Sequence, residues 1–312
     1  MSNFMLFSYI NNMKKYKRFL SNLQKALPDL VVKFDERFSR HTSIGVGGRI
    51  AMYVEVESEK DLMLLLRLCK EYCVKYFILG NGTNIVASDK LHDLLAIKIN
   101  IREIKCIDNK IICGAGASMF SVNQFACQHN LSGLEWSYGL PASVGGAIKM
   151  NAGSFGHEIK DVVSVVYFTD GQKMLHKYNK SLDFSYRHSF FSDKNFVIIK
   201  AVFSLKIEKN VDLMQKCLSF LEKRHLTQPY SMRSAGSVFK KPKLEFAPVL
   251  IEKCGLKGLR IGEAEVSQKH CGFIVNLGDA KFSDIFKIIC KIKKTVLKKF
   301  DILLEEEVIL LK

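Results

Sequence analysis

Apolar residues switch between helical and alternating spacing along this chain, and each switch predicts an element. Ser58-x-x-Asp61 ahead of an apolar run marks a helix start continuing through Leu62–Tyr72, and Val74–Leu79 reads as a short strand. Ile111–Cys113 is another strand, and Ser118 caps a helix over Met119–His129 with Gly133 as its terminator. Val162–Phe168 and Lys173–Tyr178, joined by the Asp170-Gly171 turn, predict a β-hairpin. Phe196–Ile207 alternates as a strand, and Val211–His225 returns to helical spacing. Further on come a helix at Ala247–Cys254 stopped by Gly255, a strand at Gly272–Asn276, a helix at Ser283–Phe300 and a last strand at Ile302–Leu311. Strands outnumber clean strand-helix-strand alternations, so the class is α+β rather than a doubly wound sheet.

The change near 207–212 suggests a division of the chain. Residues 1–35 form an N-terminal extension with a helix around Tyr16–Leu27. Residues 36–208 form a first domain in two parts, about 36–105 and 106–208, and residues 209–312 form a second. In the extension, Phe4, Met5, Leu6 and Phe7 precede Lys14, Lys15, Lys17 and Arg18. That order reverses a signal peptide, which leaves a docked or partly disordered extension as the expectation and a membrane-surface helix as the alternative. No stretch has the length of a membrane span.

Composition changes this picture in two places. The nine cysteines (69, 73, 106, 113, 127, 217, 254, 271 and 290) include no Cys-x-x-Cys pair, and Cys69 and Cys73 fall in an apolar helical run. Free thiols in a reducing cytoplasm fit this usage better than disulfides or zinc, and no His/Cys/Asp/Glu cluster has metal spacing. The net charge of +16 gathers in runs such as Lys287–Lys299. Such a run suits nucleic-acid phosphates, but aromatics do not interleave with it, so a solvated helix face is the expectation and no nucleic-acid partner is implied.

Glycine loops carry the candidate chemistry. Gly80-x-Gly82 follows a strand but lacks the third glycine of a dinucleotide fingerprint, and Gly114-x-Gly116 fails likewise; neither is a Walker loop. Small residues at 80–84 and 139–146 can instead expose backbone N–H groups as nests for a pyrophosphate, with Thr83, Asn84 and Ser143 as added donors. A single such loop reads equally well as a tight turn.

Several short blocks occur in order. They are Leu79-Gly80-Asn81-Gly82-Thr83-Asn84, Gly139-Leu140-Pro141-Ala142-Ser143-Val144-Gly145-Gly146 with Asn151-Ala152-Gly153, Tyr186-Arg187-His188-Ser189, Ala235-Gly236-Ser237-Val238-Phe239-Lys240-Lys241-Pro242, Ser267-Gln268-Lys269-His270 and Glu305-Glu306-Glu307-Val308. From about Phe38 to Val308 this set resembles the UDP-N-acetylenolpyruvoylglucosamine reductase family. His41-Thr42-Ser43 with Gly45, Gly47 and Gly48 is similar to that family's entry segment.

The resemblance implies a two-part FAD-binding fold of the vanillyl-alcohol-oxidase type followed by a substrate-binding α+β domain. It implies non-covalent FAD, NADPH as hydride donor, and UDP-N-acetylglucosamine-enolpyruvate as the substrate reduced to UDP-N-acetylmuramate for peptidoglycan. Gly80, Asn81, Gly82, Thr83, Asn84, Ser118, Gly139, Pro141, Ser143, Gly145, Gly146, Asn151 and Gly153 are the residues it assigns to FAD. Tyr186, Gln228, Lys241 and His270 are its candidates for gripping the UDP-sugar.

Reduction of an enolpyruvyl ether needs a cation for the carboxylate, a group that stabilises developing charge, and a proton donor. Arg187 supplies a bidentate guanidinium. Ser237 fits the proton donor, the alternative being a turn serine bonded to its own backbone. Glu307 stabilises the enolic oxygen, and the Leu-Glu-x-Glu-Val pattern of the family selects it from three consecutive glutamates that would otherwise read as a solvated edge.

The chain departs from the family pattern at Arg233, where proline is usual, and at Ala142, where glycine is common. It lacks the extra tyrosine-bearing loop of the type I enzymes and is similar to type II. Oligomeric state is not set by the sequence, with a monomer as the expectation. The rival readings are another FAD oxidoreductase of the same fold and a flavin-free basic nucleic-acid-binding protein.

Overall fold

The computed structural model describes residues 16–312 and divides them between a large mixed body and a smaller one behind it. The first part of the large body is a parallel sheet. Its strands are β1 (Ile50–Val56), β2 (Tyr76–Leu79) and β4 (His92–Ile99), in the order β1-β4-β2, with β3 (Ile85–Ala87) set apart. Helix α1 (Glu59–Glu71) links β1 to β2, and the Ser58 side chain accepts a hydrogen bond from the Asp61 N–H, the predicted cap. A sheet this small buries one face through α1 and the other through Phe38, Leu79, Ile85 and Ala87.

The second part is a five-stranded antiparallel sheet. In chain order its strands are β5 (Ile104–Ile107), β6 (Lys110–Gly114), β7 (Val163–Thr169), β8 (Met174–Tyr178) and β9 (Val197–Ser204), in the spatial order β8-β7-β9-β6-β5. The β7–β8 hairpin closes at Asp170-Gly171, where Gly171 takes a φ of +86° and Asp170 Oδ1 accepts from the N–H groups of Gln172 and Lys173. Helix α2 (Met119–Gln128) starts at Ser118, as expected, but the left-handed residue after it is Asn130 (φ 55°) rather than Gly133. A short helix α3 (Val144–Lys149) follows the second glycine loop.

Both parts share one core, and helical residues 16–26 dock on it through Tyr16, Phe19 and Leu23, with Leu27 just beyond. The Tyr16 hydroxyl also donates to Asp93 at 2.7 Å. The described part of the N-terminal extension is therefore held on the large body. The apolar residues 4–7 and Lys14 and Lys15 lie outside the described residues.

Helix α4 (Leu213–Thr227) begins at Asp212, whose side chain accepts from the Gln215 N–H. It packs on the large body: Arg224, nearly fully buried, donates to the carbonyls of Tyr138 and Trp136 at 3.1 and 2.9 Å. We therefore place the boundary at the end of α4, near Gln228, and not at 207–212, where the switch in hydrophobic period put it.

The second body is a sheet of β10 (Arg233–Ser237), β11 (Arg260–Ile261), β12 (Ala264–Val266) and β13 (Phe273–Asn276), in the order β10-β13-β12-β11. Helices α5 (Ala247–Lys253) and α6 (Phe282–Phe300) pack with it in one core, which also takes in Ile44, Val46 and Val86. Ile285, Ile288, Ile289, Ile292 and Val296 form the buried stripe of α6, each contributing about 1.5–3 kcal/mol, and Lys287, Lys291, Lys294 and Lys298 lie exposed. The lysine run is thus a solvated helix face.

The final strand is shorter than expected. Helix α6 ends on Asp301 in the left-handed conformation, residues 302–308 run mostly outside regular strand, and only β14 (Ile309–Leu311) forms a ladder. That ladder is parallel to β3, so the end of the chain returns to the large body.

Candidate active site

A cavity of about 1390 Å³ lies between the two bodies, larger than the usual ~300–1,000 Å³ small-molecule site and roomy enough for a dinucleotide together with a second ligand. Its walls bring together most of the residues singled out in the sequence: the 80–84 loop, Gly139, Pro141, Ser143, Gly145, Gly146 and Gly153 from the large body, with Tyr186 and Arg187, and Gln228, Ser237, Lys241, His270 and Glu307 from α4 onward.

The 80–84 loop lies between β2 and β3, with no helix following it, so the dinucleotide-fingerprint reading fails structurally as well. Gly82 sits at φ +65°, and a Cβ there would fall 1.9 Å from the His41 carbonyl oxygen; a Cβ on Gly80 would come within 2.5 Å of Ser143 Oγ. Among the described residues, the N–H groups of Asn81, Gly82 and Thr83 find no partner within the chain, so three consecutive donors line the cavity. Lys98, half-buried, donates its ammonium to the Gly80 carbonyl and to Asn81 Oδ1, placing a positive charge against this nest. Burial, then Arg102, holds the Lys98 pKa below the usual lysine value.

The second glycine loop differs. The first N–H groups of α3 are already used: Val144 donates to Ala117, Gly145 to Ala115 and Gly146 to Ser143 Oγ. The unbonded N–H groups of this loop, those of Gly139, Ala142 and Ser143 among the described residues, are not three in a row. This loop acts as a wall pressed against the first, through Asn81 Nδ2 to the Pro141 carbonyl at 2.9 Å, while Tyr230 Oη donates to the Gly139 carbonyl. Ala142 does not adopt positive φ, so its replacement of a glycine is accommodated. Arg233 opens β10 opposite Asn276, a ladder position that accepts any residue carrying an N–H.

Two expected cofactor residues do not line the cavity. Ser118 caps α2, and its backbone bridges Ser143, so it supports the wall from behind. Asn151 is fully buried at φ 42°. Its amide donates to the Ser185 carbonyl at 2.9 Å and to Glu158 Oε2 at 3.1 Å, and its oxygen accepts from the Lys160 N–H. It thereby braces the tight turn closed by Ser185 and His188, at whose tip Arg187 sits.

Arg187 itself is left-handed (φ 55°), a conformation that costs a non-glycine residue about 1–2 kcal/mol. It points its guanidinium to Glu307, Nε to Oε1 at 2.6 Å, and to the Gly153 carbonyl at 3.1 Å. Of the five N–H donors of an arginine, these two bonds leave three for a ligand. Glu307 is only 14% exposed, and burial raises its pKa against the opposing pull of Arg187 and Lys240. Its neighbours are spent elsewhere: Glu306 pairs with Lys293 at 2.8 Å, and Glu305, 72% exposed, faces Lys240. The geometry thus separates the three glutamates, with Glu307 the one in the cavity wall.

Ser237 ends β10 just past a bulge at Gly236 (φ +79°), and its hydroxyl has only a long contact, 3.4 Å, to the Phe239 carbonyl. The next residue, Val238, accepts from the Glu307 N–H at 2.8 Å, and the Glu307 carbonyl accepts from Asn84 Nδ2 at 3.1 Å. Ser237, Glu307 and the nest are therefore tied together through backbone.

Around them, the Tyr186 hydroxyl accepts from the Lys241 N–H, and the Lys241 ammonium lies 4.1 Å from the centre of the Phe246 ring. His270 accepts the Gly272 N–H on Nδ1, which leaves its neutral proton on Nε2, and burial lowers its pKa. Lys98, Arg224 and Tyr230 shape the cavity but stood outside every sequence block. A lone lysine in a strand or arginine in a helix carries no local signal of such a role.

The residues present suit FAD: an open amide nest with a cation beside it, glycines at positions where a side chain would collide, and a volume that exceeds a single small ligand. Comparison with known proteins points the same way. Residues 50–174 match the FAD binding domain, and residues 228–311 match the UDP-N-acetylenolpyruvoylglucosamine reductase, C-terminal domain. The UDP-N-acetylenolpyruvoylglucosamine reductase of Pseudothermotoga lettingae is 42% identical over 278 residues, which covers 89% of this chain and 96% of that protein. The Clostridium tetani enzyme of the same name is 38% identical over 301 residues, covering 96% and 98%. The crystal structure of the Thermus caldophilus reductase superposes with a TM-score of 0.76 at 30% identity, over 91% of this chain and 99% of that one. Nearly full-length identity, both domain matches and the shared shape agree that this chain belongs to the UDP-N-acetylenolpyruvoylglucosamine reductase family.

Proposed function

We infer that this chain is an FAD-dependent oxidoreductase that reduces UDP-N-acetylglucosamine-enolpyruvate to UDP-N-acetylmuramate with NADPH, in peptidoglycan precursor synthesis. The observation that carries the catalytic assignment is the convergence of Arg187, Glu307 and Ser237 on one cavity from three distant parts of the chain. When bound, FAD supplies the hydride relay between NADPH and the vinyl group of the sugar.

Each protein group has a role its surroundings permit. The free N–H groups of Arg187 take the substrate carboxylate, and its strained backbone fixes their direction. Glu307 retains a proton to higher pH than an ordinary glutamate, so it can donate to the oxygen on which charge builds. Ser237 Oγ gives its proton to the adjacent carbon; its weak contact to Phe239 leaves that proton available. The nest at 81–83 holds the pyrophosphate of FAD, and Tyr186, Gln228, Lys241 and His270 line the remaining space where the UDP-sugar would lie. All these groups come from one chain, which favours a monomer as the working unit. Among the described residues no helix is long and apolar enough to cross a membrane, and nine free thiols favour a reducing cytoplasm.

Anaerobic spectra test this reading. NADPH should bleach the flavin absorbance, and the enolpyruvyl UDP-sugar should restore it. A flavin that bleaches without recovering would reject the substrate, and one reduced by an alcohol in place of NADPH would favour a different oxidoreductase on the same fold.

Gly82→Ala tests the nest. The added methyl meets the His41 carbonyl and forces a left-handed alanine, so FAD affinity should fall by about tenfold or more while far-ultraviolet circular dichroism stays unchanged. Retention of flavin at the wild-type level after purification would remove the nest from the cofactor site.

A further inference from the structure

We propose that Cys127 and Cys217 form a reversible disulfide when a peroxide is present, and that this bond weakens the wall of the flavin cavity that begins at Tyr138. The two sulfurs lie 3.5 Å apart, 90 positions apart in sequence, one on α2 and the other on α4. A disulfide needs about 2.05 Å between sulfurs, a closure that small side-chain rotations can supply. Cys217 is buried and Cys127 partly exposed, so only Cys127 meets a small oxidant from solvent. Once Cys127 is deprotonated, the single Cys217 proton can turn from the Asn123 carbonyl to that sulfur, a hydrogen bond that lowers the Cys127 pKa and favours the nucleophilic thiolate on the accessible side.

The chemistry balances. The Cys127 thiolate attacks one peroxide oxygen, breaking the O–O bond to give a sulfenic acid and hydroxide. The Cys217 thiol then attacks that sulfur and expels a second hydroxide. Two thiols are oxidised to one disulfide, hydrogen peroxide is reduced to two waters, and the thiol protons end in the water.

Asn123 connects this pair to the cavity. Its buried carbonyl accepts from Cys217 at 3.0 Å and lies 3.6 Å from Cys127, and its amide donates to the Leu134 carbonyl and to Ser137 Oγ. Seven residues along α4 from Cys217, on the same face, Arg224 holds the carbonyls of Trp136 and Tyr138. Both grips close on the segment that runs into Gly139 and Ser143. Forming the disulfide removes both S–H donors and leaves the Asn123 oxygen buried without a partner, so the amide must turn and release Leu134 or Ser137. The thiol chemistry stands independently of the cofactor; its effect on the cavity rests on the flavin reading above.

The test begins with reduced, FAD-loaded protein exposed to hydrogen peroxide, followed by N-ethylmaleimide, digestion and mass spectrometry. A cross-linked Cys127–Cys217 peptide is expected, lighter by the two hydrogens lost and restored by dithiothreitol, with the other cysteines alkylated. Cys127→Ser should remove the cross-link while leaving activity near wild type. FAD affinity of the oxidised protein, by flavin fluorescence, should be weaker by roughly fivefold or more and recover on reduction. Oxidation of Cys127 to a sulfinic acid without a cross-link, or cross-links spread over exposed Cys73 and Cys290, would overturn the site. A formed disulfide with unchanged FAD affinity would overturn the coupling. Failure of reduced protein to bind FAD would count against the flavin reading and not against the disulfide. Cys217→Ser should likewise remove the cross-link; should it fail to fold, the wild-type peptide map decides alone.

Discussion

Ser237→Ala protein should be reduced by NADPH at the wild-type rate, yet its flavin should reoxidise with the enolpyruvyl sugar about 10²–10⁴ times more slowly, the range for losing a positioned proton donor. The split follows from where Ser237 sits. It lies on β10 in the second body, bonded only weakly to Phe239, whereas the amide nest belongs to the large body. Removing this half-buried hydroxyl gives up only the long 3.4 Å contact to the Phe239 carbonyl, so the fold should tolerate the change. Stopped-flow measurement of each half-reaction distinguishes the outcomes. Equal slowing of both would mean that the substitution disturbs the cavity as a whole and that the proton comes from elsewhere.

The Arg187–Glu307 pair should give the next largest effects, with a pH signature. Arg187→Met removes the donors assigned to the substrate carboxylate and should cut sugar-dependent reoxidation by about 10²–10³-fold. The raised Glu307 pKa means that its protonated, donating form persists below that pKa and is lost as pH rises through it. Wild-type reoxidation should therefore decline along that limb. Arg187 lowers the Glu307 pKa, so in Arg187→Met the residual activity should decline at higher pH than in wild type. Glu307→Gln keeps a donor without a titrating proton and should flatten the limb.

The same raised pKa sets the sign for stability. The contribution of protonated Glu307 is complete below its unfolded value near 4.5 and is lost as pH rises through the folded value. Melting temperature of wild type relative to Glu307→Gln should thus fall across that window. A rate limb that survives in Glu307→Gln would assign the titration to another group.

Local signals in the sequence were strong where one residue type has one physical use. Ser58 and Ser118 cap the helices they were expected to cap, and Asp170-Gly171 closes the expected hairpin. The proposed reacting residues could be named from the sequence because their short blocks keep order over most of the chain, and the fold brings Arg187, Ser237 and Glu307 to one cavity. What sequence could not convey is which side of a wall a polar residue faces. Asn151 lies between two cavity residues in the chain and Ser118 three residues beyond one, yet the first braces the Arg187 turn and the second caps a helix. Lys98 and Arg224 act through carbonyls that only tertiary packing brings to them. The expected boundary at 207–212 falls ahead of α4, which packs on the large body: hydrophobic spacing reveals that α4 is amphipathic, but not which body it covers.

The pairing of β14 with β3 has a consequence for synthesis. Asn84, at the edge of the nest, is held to Glu307, 223 positions later, and its own carbonyl receives the Ile309 N–H. At ribosomal rates of ~5–20 residues per second, the loop emerges on the order of tens of seconds before the strand that fixes it. During that interval the nascent chain exposes an unanchored edge at β3 and a nest without its backing. Lys98, Pro141 and Ser43 can hold the loop from within the large body as soon as that part folds, but its ties to Glu307 and Ile309 form only when synthesis reaches the last strand.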